Sequence, residues 1–320
     1  MKIIGTGSFL PKKIVTNFDL EKIMDTSDEW IQSRTGIVSR HIAVEETTTD
    51  MSVAAAKQAL DAAGVKPEEL DMIIAATVSS NMVIPTLSCE VQAALGAVNA
   101  TAFDVSAACS GFLFALATAN AYMQIGMCKK ALLIGAETLS KMMDWNDRST
   151  CVLFGDGAGA AVVTSEEDGL LSIVQGSDGA SGMALNCKNR PANNPFLPEV
   201  SSEKMDYVHM DGQAVYKFAV ITVPKAIKQV LDEADLTPDD ISMYVLHQAN
   251  IRIIESVSKR LKQSMDKFPT NLQECGNISA ASVPILLDKI VREGKIQKGD
   301  KIVLAGFGAG LTWGACVLEW

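Results

Sequence analysis

The chain has 320 residues, 48% of them hydrophobic and 21% charged, the balance of a folded globular protein and not of a disordered one. Its length fits two domains or one large fused unit, with a core that needs no disulfide or metal staple. A formal charge of −10 repels phosphate, which argues against general binding of nucleic acid or anionic membrane and requires any acidic partner to meet a local basic patch.

No apolar run reaches the ~18 residues of a spanning helix; the longest, Gly111 to Met127, is interrupted by Asn120 and Gln124. The opening MKIIGTGSFLP reads as a strand and turn, not as a signal peptide. The seven cysteines are odd in number and no pair is spaced CxxC, so a reducing, cytoplasmic setting is expected in place of a disulfide framework.

In chain order, Met51–Ala63 is an Ala-rich helical pattern with Thr49 and Asp50 as capping candidates and Gly64 as its stop. Asp71–Thr77 is a short apolar strand. Leu87–Leu95 is helical, Ala102–Ser106 a strand, Cys109–Ile125 a helix and Ala131–Gly135 a strand. Residues 178–207, with Gly179, Gly182, Pro191, Asn193, Asn194, Pro195 and Pro198, lack periodicity and predict a long loop that serves or covers a site. Beyond it come helix Gln213–Ala234, strand Met243–Leu246, helices Ile251–Lys262 and Ser279–Arg292, and strand Lys301–Ala305. Such alternation predicts a layered α/β fold.

The chain also repeats itself. Pro67-Glu-Glu-Leu-Asp-Met-Ile-Ile is echoed by Pro238-Asp-Asp-Ile-Ser-Met-Tyr-Val, and the segment Cys109 to Gly126 by Asn277 to Gly294, at a spacing of 168 residues. This predicts two related halves, 1–170 and 171–320, with Cys109 and Asn277 at equivalent helix starts brought to one interface.

Three residues stand out chemically. Cys109 lies between a strand and a helix, where the helix dipole and unpaired backbone N–H groups favour thiolate and can hold an oxyanion; the plainer alternative is a small buried hydrophobe. His247 ends an apolar strand, where α/β folds place ligand groups, although a histidine satisfied by a carbonyl would look the same. Asn277 follows Gly276 and can simply cap the next helix; the repeat sets it opposite Cys109. His41 and His209 lie in polar, loop-like stretches. The glycine-rich segments at 154–160 and 305–310 lack the GxGxxG-helix and P-loop patterns and read as tight turns. No cluster has metal-ligand spacing. Arg252, Lys259 and Arg260 follow His247 on one helix; Arg252 and Lys259, seven apart, share a face that is either solvated or a dock for an anionic partner.

Together, DVSAACSGF around Cys109, HQANIRII from His247, GNISAASVP around Asn277 and the terminal GFGAGLTWG resemble the β-ketoacyl-acyl-carrier-protein synthase III family, the initiating condensing enzymes of the thiolase superfamily; IIGTGSFLP and DTSDEWIQSRTGI are similar too. The resemblance spans the chain and implies a thiolase-like five-layered αβαβα fold of two pseudo-symmetric halves, a homodimer, and acyl-CoA and acyl carrier protein as substrates, with no metal, flavin or nicotinamide. It makes Cys109 the acyl-carrying nucleophile and His247 and Asn277 the donors that stabilise an enolate from malonyl-carrier. The backbone N–H groups of Cys109 and Ala309 would form the oxyanion hole, with Ala309 at a position that is Gly in many relatives. Trp30 and Arg148 would sandwich the coenzyme A adenine, and Thr26, Arg34, Lys217, Asn250 and Arg252 would make further coenzyme A or carrier contacts. Arg252, Lys259 and Arg260 would dock the carrier. Phe307 would line the acyl pocket, and a loop around Ile84 would close the partner's. Rival readings are a thiolase, which would need a second cysteine near Phe307 and Gly308; a hydroxymethylglutaryl-CoA-type or secondary-metabolite synthase; a cysteine hydrolase; and a non-catalytic carrier-binding protein.

Overall fold

The structure, a computed structural model, describes residues 1–189, 191–192, 194, 196 and 206–320. In chain order the elements are β1 (Lys2–Phe9), β2 (Lys13–Thr16), α1 (Asn17–Leu20), α2 (Asp28–Thr35), β3 (Ser39–Ile42), α3 (Thr48–Ala63), β4 (Met72–Ala76), α4 (Leu87–Leu95), β5 (Thr101–Val105), α5 (Gly111–Gln124) and β6 (Lys130–Thr138). There follow β7 (Asp156–Thr164), β8 (Leu170–Ser177), β9 (Leu185–Asn186), β10 (His209–Met210), α6 (Gly212–Glu233), β11 (Met243–Leu246), α7 (Ile251–Leu261), α8 (Leu272–Cys275), α9 (Ser282–Arg292), β12 (Lys301–Gly308) and β13 (Thr312–Glu319).

Two mixed sheets carry the fold. The first has the order β1-β7-β6-β4-β5 and the second β11-β12-β13-β8. In each, a parallel pair (β4 with β6, β11 with β12) is followed by an antiparallel neighbour (β7, β13) and an antiparallel edge (β1, β8). The second sheet lacks a counterpart of β5. Helices α5 and α9 touch both sheets, α3 and α4 cover the outside of the first, and α6 covers the outside of the second with α7 packed on it. The layers therefore run αβαβα. Because helices lie on both faces of each sheet, the central strands are apolar throughout: β4 and β7 are buried along their whole length.

Local signals explain the element ends. Helix α3 starts three residues before the expected Met51: Thr47 is its N-cap and closes a capping box with Asp50, and Gly64 ends it in the left-handed region. Thr49 is inside the helix. The two helices at the chemistry-bearing positions, by contrast, begin later than expected. Residues Ala108–Ser110 and Ser279–Ala281 form 3-10 turns, and α5 and α9 start at Gly111 and Ser282.

These turns correct the repeat. Ala108 (φ 45°) and Ser279 (φ 44°) are paired positive-φ residues, and they, like Pro67 and Pro238, are 171 apart. The counterpart of Cys109 is Ala280, not Asn277, whose counterpart is Ser106. The spacing of 168 holds only at Gly126 and Gly294, because α9 has 11 residues against 14 in α5. The two turns nevertheless meet, since a Cβ added at Gly111 would lie 3.4 Å from Ala280 Cβ.

The 178–207 stretch is not loop throughout. A 3-10 turn spans Gly179–Ala184, and β9 pairs antiparallel with β10, Asn186 opposite His209. Residues 190, 193, 195 and 197–205, with the expected loop positions Asn193, Pro195 and Pro198, lie outside the described residues. No helix among the described residues is long and apolar enough to cross a membrane.

Candidate active site

A cleft of about 580 Å³ opens at the chain ends of α5, β11 and β12, lined by Cys109, His247, Asn277, Phe307 and Gly308, with Arg34, Asn250 and Arg252 toward its mouth. Each residue arrives there for a local reason. Cys109 sits in the turn that converts β5 into α5, next to the left-handed Ala108. His247 is the first residue beyond β11, and its backbone N–H still donates to Ala305 O at 2.8 Å, extending the parallel ladder. Asn277 is held by backbone bonds to Leu153 and from Gly155. Gly276, at φ 66°, makes that bridge possible, because a Cβ there would lie 2.8 Å from Leu153 O.

The three residues are buried. Asn277 Oδ1 accepts the Ser279 N–H at 2.8 Å, which is the local turn-capping role and also turns the amide NH2 away from that bond as a free donor. The His247 imidazole meets Phe307 edge-on, ring centroids 5.4 Å apart. Its Nδ1 is buried without a partner, so a neighbouring carbonyl does not satisfy it. Burial lowers the His247 pKa to about 3, keeping the ring neutral, a donor or acceptor but not a cation.

Cys109 departs from expectation. Burial pushes its thiol up to about 12, and the Ser279 hydroxyl opposes this. The residue is 7% exposed and lies within the 3-10 turn Ala108–Ser110, so desolvation works against the helix-start advantage at this sulfur. The backbone nearby is closely packed: a Cβ at Gly308 would fall 2.5 Å from the Cys109 N. Ala309 is not among the residues with left-handed φ, so an L-residue stands at that position without strain. Cys316 and Cys275 are buried away from the cleft, and all seven cysteines are free.

Toward the mouth, Asn250 caps α7, accepting the Arg252 N–H at 2.9 Å, and its Nδ2 donates to Arg34 O. Arg252 Nη2 donates to Ser33 O at 2.6 Å. The guanidinium carbons of Arg34 and Arg148 lie 5.0 and 5.1 Å from the Trp30 ring centroid. Those three residues are thus assembled, but Arg148 rests on Trp30 and an adenine would have to displace it. Thr26 Oγ1 is buried without a partner. Lys217 is exposed on α6. Lys259 and Arg260 are exposed at the far end of α7, and Arg260 faces a separate groove with Lys225 and Lys228. Ile84 is 83% exposed beside Val83 and does not line its own chain's cleft. His209 is exposed and bonds Asp206, whereas His41 is half-buried against Pro11 O.

The sequence reading missed Phe154, Leu185, Met210 and Tyr216 in the cleft wall and the buried Glu137 and Ser279 behind it. Phe154 carried a signal, its glycine-rich segment; the others are ordinary residues brought there by folding.

A cysteine, a histidine and an asparagine in one cleft, between paired sheets with a shared central helix layer, are the layout of a thiolase-type fold. Family models for 3-oxoacyl-[acyl-carrier-protein] synthase III match residues 103–179, and for its C-terminal part residues 231–320. The β-ketoacyl-[acyl-carrier-protein] synthase III of Caldanaerobacter subterraneus subsp. tengcongensis is 52% identical over 99% of this chain and 97% of its own. That of Clostridium acetobutylicum is 49% identical over 100% and 98%. The crystal structure of 3-oxoacyl-[acyl-carrier-protein] synthase III from Aquifex aeolicus VF5 has a TM-score of 0.93 at 47% identity, covering 100% of this chain and 99% of that one. The chain belongs to the β-ketoacyl-acyl-carrier-protein synthase III family.

Proposed function

We propose that the protein condenses acetyl-CoA, or another short acyl-CoA, with malonyl-acyl-carrier-protein to give 3-oxoacyl-acyl-carrier-protein and CO2, the initiating step of fatty-acid synthesis. The observation that carries the reading is Cys109, His247 and Asn277 lining one cleft in a chain of this family. Cys109 Sγ attacks the acyl-CoA thioester, the coenzyme leaves and an acyl-enzyme remains. Malonyl-carrier then loses CO2. The enolate oxygen takes hydrogen bonds from the neutral His247 ring and the Asn277 NH2, and the enolate carbon attacks acyl-Cys109, whose carbonyl oxygen lies at the Cys109 and Ala309 N–H groups. Removing one such donor typically costs about 2.7–4 kcal/mol of transition-state stabilisation. The chemistry transfers acyl groups without net oxidation and asks for no cofactor.

Thr26, Trp30, Arg34, Arg148, Lys217, Asn250 and Arg252 bind coenzyme A in this reading, supported by the cation–π cluster on Trp30. Arg252, Lys259 and Arg260 dock the carrier. Ile84 serves the partner's acyl pocket and Phe307 the chain's own, in a homodimer. Support for the dimer is β5, an open edge of the first sheet, together with the run of exposed apolar residues Met82, Val83 and Ile84. The halves divide near residue 170. Free thiols throughout support a reducing, cytoplasmic setting.

Intact-protein mass spectrometry with acetyl-CoA tests the first step, and product mass spectrometry with malonyl-carrier and a panel of acyl-CoAs tests the second. An acetyl adduct on wild type and none on Cys109→Ala is expected, with a 3-oxoacyl-carrier product. Acetylation persisting in Cys109→Ala, or release of free acid alone, would overturn the reading.

A further inference from the structure

Behind Cys109 lies a carboxyl the scheme above does not use. Glu137 is fully buried on β6. Two residues earlier on the same strand face, a Cβ at Gly135 would lie 2.2 Å from Ala280 O, so Glu137 points toward the 279–281 turn that packs on Cys109. Its Oε2 accepts from Thr77 Oγ1 at 3.2 Å, from the Val78 N–H at 3.1 Å and from Ser79 Oγ. Its Oε1 is buried without a partner.

Ser279 Oγ is the second orphan: buried, and with no hydrogen bond of ordinary geometry. Its hydroxyl is the side-chain group that opposes the effect of burial at Cys109, beside that cysteine's own backbone, and it is one of the groups that do so at Glu137. The 279–281 turn that carries it packs on both β6 and the 108–110 turn, which sets it between carboxyl and sulfur. A hydroxyl has one proton to give. Against an ionised Glu137, Ser279 gives that proton to the carboxylate and has none for sulfur. Against a protonated Glu137, it accepts from the acid and donates to sulfur.

We propose that Glu137 is a positioning residue that carries a proton on Oε1, donates it in a hydrogen bond to Ser279 Oγ, and so turns the Ser279 O–H toward Cys109 Sγ as the thiolate forms. Burial raises the Glu137 pKa against the donors on Oε2 and the Ala280 N–H, in keeping with a neutral acid. The other titratable groups around the line are His247 on the cleft side, neutral as described, and Lys141 with Asp156 beyond Glu137. Lys141 senses both carboxylates, but its amine donates to Ser80 O; Asp156 is held by Ser140 and the Ala43 N–H. The inference rests on Cys109 being the nucleophile, but its test reads the thiol without acyl-CoA, so a failed condensation and a failed relay are told apart.

The test is the pH dependence of Cys109 alkylation by iodoacetamide, with the thiol proton passing to buffer and iodide leaving as sulfur bonds carbon. Ser279→Ala keeps the backbone, since Ala108 holds the same φ in the matching turn. It should slow alkylation near neutral pH by roughly tenfold or more, the worth of one hydrogen bond to a charged group. Glu137→Gln retains a neutral donor and should leave the rate close to wild type. The infrared difference between wild type and Glu137→Gln should contain a protonated-carboxyl band at neutral pH. An unchanged rate in Ser279→Ala, a marked acceleration in Glu137→Gln from removing a negative charge, or a carboxylate band in place of the acid band would each overturn the proposal.

Discussion

In the proposed scheme His247 and Asn277 act through uncharged donors, so their loss should fall on one step. His247→Ala and Asn277→Ala are expected to keep acetyl transfer to Cys109 while decarboxylation of malonyl-carrier drops by about a hundredfold or more, the scale of one lost oxyanion donor. Single-turnover assays separate the steps; lost acetylation with retained decarboxylation would reverse the roles. The same burial has a pH signature. A histidine pulled from 6.5 to about 3 takes up a proton in the unfolded chain before the folded one. The stability it leaves in place is complete above about pH 6.5 and is lost as pH falls toward 3, at about 1.4 kcal/mol per pH unit. Urea midpoints between pH 6.5 and 4.5 should fall less steeply for His247→Gln than for wild type. These three residues were visible in the sequence because each stands at a strand-helix junction in a distinctive segment. Glu137 and Ser279 were not, because a carboxyl at the end of an apolar strand and a serine among small residues gain meaning only from what folding sets beside them.

At the scale of elements, two close approaches set the site. The end of β12 passes over the Cys109 turn with no room for a side chain at Gly308. Gly308→Ala should destabilise by about 1–3 kcal/mol, as overpacking does, and should cut acyl-enzyme formation by displacing the Cys109 N–H; thermal melts and adduct mass spectrometry check both, and wild-type behaviour in each would contradict the contact. Helix α7 starts at the cleft mouth with Asn250 and Arg252 and carries Lys259 about 10 Å further along its axis. Lys259→Glu should raise KM for malonyl-carrier and leave acetyl-CoA kinetics nearly unchanged, with wild-type activity toward the carrier falling more steeply as salt rises. An unchanged KM would make that helix end an ordinary solvated face. Most of these elements follow from periodicity and caps, with α4 and β11 matching the expected spans. The two 3-10 turns did not, because a helix pattern in sequence continues through residues whose first turn is tightened by packing.

For the molecule as a whole, the unpaired β5 edge and the exposed Met82, Val83 and Ile84 are the clearest unfinished surface. A dimer of two 320-residue chains is expected in sedimentation, and Ile84→Asp should shift it toward monomer and alter the acyl-CoA preference; a wild-type dimer with unchanged preference would remove that loop from the interface. The two sheets share one topology apart from β5, which makes a repeat legible in the sequence; the copies are offset by 171 residues, and the offset falls to 168 only after α9, which is three residues shorter than α5.

The sequence by itself determined the α/β alternation, the apolar strands, the family motifs and the candidates Cys109, His247 and Asn277, since periodicity, turn chemistry and residue type are local properties. Only the tertiary structure decided that Cys109 is matched by Ala280, that burial raises its thiol pKa and lowers that of His247, and that the 279–281 turn lies between β6, with its buried Glu137, and the Cys109 turn. Register, desolvation and the pairing of buried polar atoms depend on segments far apart in the chain, and these become neighbours only when the two sheets close on their shared helices.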